Sequence, residues 1–289
     1  MSVAATASAP VGREPEADDG RHWPEYAIEA GLLGLFMVSA CACTALVEHP
    51  ASALRAVLPT PLARRALVGA AMGLTAVALI YSPWGQRSGA HFNPAVTVGF
   101  LRLGRIAPGD AAGYVLAQCA GGALGVLLSA TLLSRWISHP AVAYAVTVPG
   151  PHGAAAAFAA ELTISFLTMT VVLAAAGGRL ASLTGLLCGA LVALYITFEA
   201  PLSGMSMNPA RTFASAVVAG EWRGFWVYLT APVLGMTLAA ESFARVRGAH
   251  AVPCAKLQHE SSRVRCIFCR ERQAAAEAAL VGVRGAGPA

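Results

Sequence analysis

Two ten-residue windows of this chain are nearly the same. SGAHFNPAVT occupies residues 88 to 97 and SGMSMNPART residues 203 to 212; aligned without gaps, they agree at Ser, Gly, Asn, Pro, Ala and Thr. Asparagine is among the best helix N-caps, and a proline at the first helical position gives up nothing, because its missing N–H would have lacked an intrahelical partner. Each window is therefore a helix start. The apolar runs that follow, 94–103 and 209–218, are each about 15 Å long as helix, or half a bilayer. The pairing predicts two half-helices that fold inward from opposite faces, with Asn93, Pro94 and Ala95 meeting Asn208, Pro209 and Ala210 near the midplane.

A membrane setting follows from composition. Hydrophobic residues make up 56% of the chain and charged residues 12%, with a mean hydropathy of +0.61, outside the range of ordinary soluble domains. Six stretches are long enough to cross a bilayer: 26–46, 66–83, 111–133, 154–176, 181–198 and 224–244. Each window falls between the second and third span of one half of the chain. Three is odd, so the second half enters from the other side and the repeats are inverted. Glu29 in the first span is matched by Glu161 in the fourth, and Gly121 and Gly125 in the third by Gly235 in the sixth, after Pro232. The expected fold is an all-α membrane protein of six transmembrane helices plus two re-entrant half-helices. Its expected parts are a disordered segment 1–23, a channel domain 24–246 and a basic tail 247–289.

Positive charge near membranes is retained on the cytoplasmic side. With both termini inside, and Arg211 left out, the inner segments hold fourteen basic residues and the outer ones five, although Arg64-Arg65 argues locally the other way. Both termini are expected to be cytoplasmic, in a plasma or inner membrane. The net charge of +5 comes largely from the tail; it suits an anionic leaflet rather than nucleic acid. Residues 1–23 do not read as a cleavable signal peptide. Cys41, Cys43, Cys119 and Cys188 lie in spans and read as small buried hydrophobes.

The midplane has its own chemistry. If each asparagine oxygen caps its own helix, only its NH₂ group remains, which donates and cannot accept. A passing water must then turn its oxygen to Asn93 and Asn208, its hydrogens facing away, so it cannot relay a proton. Two helix N-termini, each worth roughly +0.5 charge, disfavour cations at the same point. Arg211 adds a fixed charge in a first turn, where it opposes the dipole at a cost of about 0.3–1 kcal/mol, and intramembrane charge is itself costly. The first window has Val96 at the matching position, so folding does not require the arginine.

With paired NPA motifs and Arg211 after the second, the chain closely resembles the aquaporin, or major intrinsic protein, family over residues 24 to 246. The resemblance implies a homotetramer with one pore per subunit, conducting water and small neutral solutes. It makes Arg211 the selectivity-filter arginine, with Ile196, Met205 and Met72 as the other filter positions; counting back from Asn93 selects Gly73 instead of Met72. Water-selective members carry an aromatic residue at the position of Met72 and a histidine at that of Ile196, and this chain has neither. Glycerol facilitators carry an aspartate after the arginine and a basic residue four further on, where this chain has Thr212 and Ala216, as in water channels; Tyr228 and Leu229 before Pro232 form a mixed pattern. By resemblance, Glu29 and Glu161 accept hydrogen bonds from the re-entrant loops, a need imposed by irregular backbone in a membrane, and His91 braces its loop. Glu199, three residues beyond Ile196, either pairs with Arg211 or is solvated.

The tail holds Cys254, His259, Cys266 and Cys269, a set that could make a tetrahedral zinc site or remain reduced thiols. No other cofactor is expected. There is no HExxH, no Ser/His pair within spans and no nucleotide loop, which argues against an enzyme. The expected function is a passive channel for water and small neutral solutes such as glycerol, urea or boric acid, closed to protons and ions. A strictly water-selective channel and a closed-pore adhesive protein are the alternatives.

Overall fold

A computed structural model describes residues 22–176, 178, 180–258 and 266–269. His259 and residues 1–21 lie outside them. Eight helices carry the architecture: α1 (Trp23–Glu48), α2 (Pro61–Tyr81), α3 (Pro94–Arg102), α4 (Pro108–Leu133), α5 (Gly153–Ala176), α6 (Thr184–Phe198), α7 (Pro209–Ala219) and α8 (Phe225–Arg247). Six of them, α6 together with the 3₁₀ turn before it, are long and apolar enough to cross a membrane; α3 and α7, of 9 and 11 residues, are not. The chain is a multi-pass integral membrane protein.

Helix starts follow local chemistry. The second span begins at Pro61 rather than near residue 66 because the Thr60 hydroxyl accepts from Ala63 N at 3.3 Å, the expected N-cap followed by proline. That extension absorbs the Arg64-Arg65 pair: Arg64 Nε donates to Glu48 at 2.9 Å and Arg65 Nε to the Thr197 carbonyl at 3.1 Å. The span ends where Ser82 caps a short helix, Pro83–Ser88, through Gly85 N.

The halves pack as repeats. Helix α1 pairs with α4, its counterpart α5 with α8, and the matched helices α2 and α6 pair with each other. Small residues permit these contacts. A Cβ on Gly121 or Gly125 would run into the backbone of Ala30 or Gly34, and one on Gly235 into the Leu162 carbonyl. Between α2 and α6, a Cβ on Gly73 would stand 2.5 Å from the Gly189 carbonyl oxygen, and one on Gly189 2.6 Å from that of Gly73.

Polarity is distributed as a lipid solvent requires. Leu74, Leu116, Leu124 and Leu132 point outward and are exposed, whereas Glu29, Thr97, Gln118, Glu161 and Ser165 are fully buried. Part of the tail packs on the helices. After α8 the chain turns at Gly248, whose φ is +81°, and Val252, Cys254, Ala255, Leu257, Cys266, Ile267 and Phe268 are buried against the helices.

Candidate functional site

The two half-helices meet N-terminus to N-terminus. Asn93 Oδ1 accepts from Ala95 N at 2.8 Å and Asn208 Oδ1 from Arg211 N at 3.1 Å, so both asparagines cap as their type favours. Each then crosses to the other loop: Asn93 Nδ2 donates to the Met207 carbonyl at 2.8 Å, and Asn208 Nδ2 to the Phe92 carbonyl at 2.7 Å. Half of the donor capacity expected to be free is thus spent on clamping the halves together. One N–H of each amide remains, and the asparagines still offer donors only.

The loops leading into these caps are held the same way in both halves. Glu29 accepts from Ser88 Oγ (2.7 Å), His91 N (3.1 Å) and Phe92 N (2.6 Å). Glu161 accepts from Ser203 Oγ, Ser206 N and Met207 N, each at 2.7 Å. Tyr114 Oη donates to the Ser88 carbonyl and Tyr228 Oη to that of Ser203. Backbone conformation repeats as well: Ala90 and Met205, and Phe92 and Met207, all have positive φ, between +30° and +56°. Such conformations cost about 1–3 kcal/mol each in non-glycine residues and persist where the surroundings over-determine them. Gln118 adds a fourth contact to Glu29 at 2.8 Å.

Ser88 and Ser203 are identical positions of the repeated window, so their pairing with Glu29 and Glu161 was open to detection. Tyr114 and Tyr228 carried a weaker signal. They fall 21 and 20 residues beyond their asparagines, and only the fold shows that both reach a loop carbonyl. His91 is wholly buried, its Nδ1 3.0 Å from Thr97 Oγ1 and its Nε2 on the Ala255 carbonyl.

A cavity of about 450 Å³ runs past this junction. Met72, Ile196, Met205 and Arg211 line it on one side of the asparagines; Ile80, Cys188 and Leu257 line it on the side where α1 starts and α8 ends. Gly73 does not line it, because it is pressed against α6. Leu229 is exposed on the outer face of α8. Arg211 Nη1 is buried and has no hydrogen-bond partner among the described residues. An unspent, desolvated donor of this kind is costly unless something in the cavity accepts from it. Val96, the counterpart of Arg211, also lines the cavity, so the electrostatics of the two halves differ there.

Thr212 is buried, with its hydroxyl 2.7 Å from Thr147 Oγ1 and 2.6 Å from Ser206 Oγ. Ala216 is buried in α7. Glu199 makes no hydrogen bond to Arg211: both carboxylate oxygens are buried without a partner among the described residues, and burial pushes the carboxyl up to about 7. In the tail, the Sγ atoms of Cys254, Cys266 and Cys269 lie within 4.8 Å of one another. A hydrogen bond from Cys254, helped by the nearby Lys256 ammonium, lowers the Cys266 thiol below its ordinary value.

Comparison with known proteins agrees with this geometry. The sequence profile of the family described as "Major intrinsic protein" matches residues 26–243. Aquaporin NIP1-2 of Oryza sativa subsp. japonica is 34% identical over 223 residues, 76% of this chain and 71% of its own length. Aquaporin NIP3-1 of Arabidopsis thaliana is 30% identical over 269 residues, 89% of this chain and 77% of its own length. The X-ray structure of the aquaglyceroporin from Plasmodium falciparum superposes with a TM-score of 0.64 at 19% identity, covering 79% of this chain and 98% of that one. With the matched region reaching into all six transmembrane helices and covering both half-helices, this chain belongs to the major intrinsic protein family.

Proposed function

We propose that the chain is a passive channel for water and small neutral solutes that excludes protons and ions. The observation that carries this reading is the cavity passing two helix N-termini, two amide donors and the unpaired Arg211 Nη1. A neutral molecule with a lone pair satisfies these donors one after another. A cation meets positive potential from the half-helix ends and again from the guanidinium. The chemistry offered is positioning and charge discrimination rather than bond making.

In this reading Arg211, Ile196, Met205 and Met72 form the selectivity filter. Both termini face the cytoplasm, the plasma or inner membrane is the site, and four copies assemble with a pore in each. Arg211 is the main polar group of an otherwise apolar filter wall. Fewer polar contacts raise the dehydration cost of a solute, but methionine side chains have three rotatable bonds and move aside. Width outweighs polarity here, so glycerol, urea or boric acid should permeate with water through metal-free proteoliposomes. Ile196→His should then lose solute flux by a larger factor than water flux, read by light scattering under opposed solute and osmotic gradients. Passage of water and none of the three solutes would leave a strictly water-selective channel instead.

A further inference from the structure

We propose that Cys254, Cys266 and Cys269 bind a thiophilic divalent ion of the zinc class, and that the bound ion latches the tail across the inner mouth of the pore and closes it. The proposal rests on the channel reading for its gating half only. Ion binding can be measured without flux.

The thiols suit such an ion. Zinc–sulfur bonds of about 2.3 Å in tetrahedral geometry place the sulfurs roughly 3.8 Å apart. Here Cys254 Sγ and Cys266 Sγ are 3.4 Å apart, and all three sulfurs lie within 4.8 Å of one another. They come from two segments of the tail, so the convergence is tertiary rather than a by-product of sequence spacing. On binding, each thiol gives its proton to solvent and its sulfur lone pair to the metal, leaving an ion with three thiolates at a net charge of −1. Lys256, two residues beyond Cys254 and buried, balances that charge. The fourth corner of the tetrahedron is left for water or another donor.

The same residues reach the pore. Ala255 O receives the His91 ring nitrogen, Leu257 N donates to the Gly89 carbonyl at 3.0 Å, and Lys256 Nζ donates to the Gln86 carbonyl at 2.7 Å. The Phe268 ring stacks parallel to His91 at 6.0 Å. Gly89, with φ of +102°, leaves the room this needs: a Cβ there would stand 3.1 Å from the Ala255 oxygen. The tail is therefore docked on the loop that delivers Asn93, and Leu257 lines the conducting cavity together with Ile80 and Cys188. Burial of Val252, Leu257, Ile267 and Phe268 favours docking, and ordering the segment opposes it at comparable size. A metal cross-link between Cys254 and the Cys266–Cys269 pair decides the balance, as metal binding does in other small folds.

The test uses the full-length chain, purified without chelator and reconstituted. Elemental analysis should find about one zinc per chain, lost in the Cys254→Ser/Cys266→Ser/Cys269→Ser variant. Zinc-loaded vesicles should shrink slowly under an osmotic gradient, and a zinc chelator should speed them severalfold. The triple variant should be fast and indifferent to zinc; because it keeps Cys188, which also lines the cavity, direct block at that thiol would show as remaining zinc sensitivity and overturn the latch. Leu257→Asp should hold zinc yet conduct, separating the ion from the plug. Absent zinc, or flux unchanged by chelation, would overturn the proposal while leaving the channel. Release by reductant rather than chelator would replace the ion with a Cys254–Cys266 disulfide and overturn it too. No flux in any variant would contradict the channel itself.

Discussion

Replacing Glu161 with leucine should give a chain that inserts but conducts no water above background. The carboxylate is the acceptor for the Ser203 hydroxyl and for two successive backbone N–H groups, Ser206 and Met207. Hydrogen bonds to a charged group contribute about 1.5–3 kcal/mol each, and because Glu161 is wholly buried a leucine there leaves its three donors facing a side chain that cannot accept. Left unmet, those donors sit beside two strained residues, Met205 and Met207, both at positive φ. The re-entrant loop then loses what over-determines it, and the Met207 carbonyl no longer meets Asn93. Stopped-flow light scattering on proteoliposomes of verified protein content checks this. Native flux in the variant would mean that Glu161 does not hold the loop.

Arg211→Val should keep neutral flux and lose much of the cation barrier. Val is the residue nature already places at the matching position, Val96, so the half-helix tolerates it. A charge about 4 Å from a passing cation contributes about 4 kcal/mol at an effective dielectric of 20, or roughly three orders of magnitude in partitioning. The half-helix ends remain and keep part of the barrier. Ion conductance and proton flux, measured beside water flux in the same vesicles, decide it. An unchanged barrier would remove Arg211 from the filter.

Much of this site was legible in the repeated windows because each feature there has a local cause. Asparagine before proline caps a helix in any setting, and the caps formed where the windows put them. Glu29 and Glu161 were visible as matched charges in apolar spans, and they accept from matched loops. The choice between Met72 and Gly73 was not legible. Helix α2 is apolar on nearly every side, so its pattern does not say which face meets the cavity and which meets α6; in the structure Gly73 lies against α6 and Met72 lines the cavity. The docking of the tail was not legible either. Its apolar residues, Val252, Leu257, Ile267 and Phe268, are scattered among basic ones without helical or strand period, and only the folded helices give them a common surface. The halving of the asparagine donors was equally hidden, since it depends on carbonyls 114 and 116 residues away in sequence.

The most direct measurement is osmotic shrinkage of metal-free, reduced proteoliposomes, with a pH-sensitive dye inside, for the native chain and for Leu257→Asp. Shrinkage should be faster than in protein-free vesicles and fastest in the variant, with a dye signal no different from that of empty vesicles. Shrinkage equal to empty vesicles in both at verified insertion, or proton entry that rises with water flux, would contradict the channel reading.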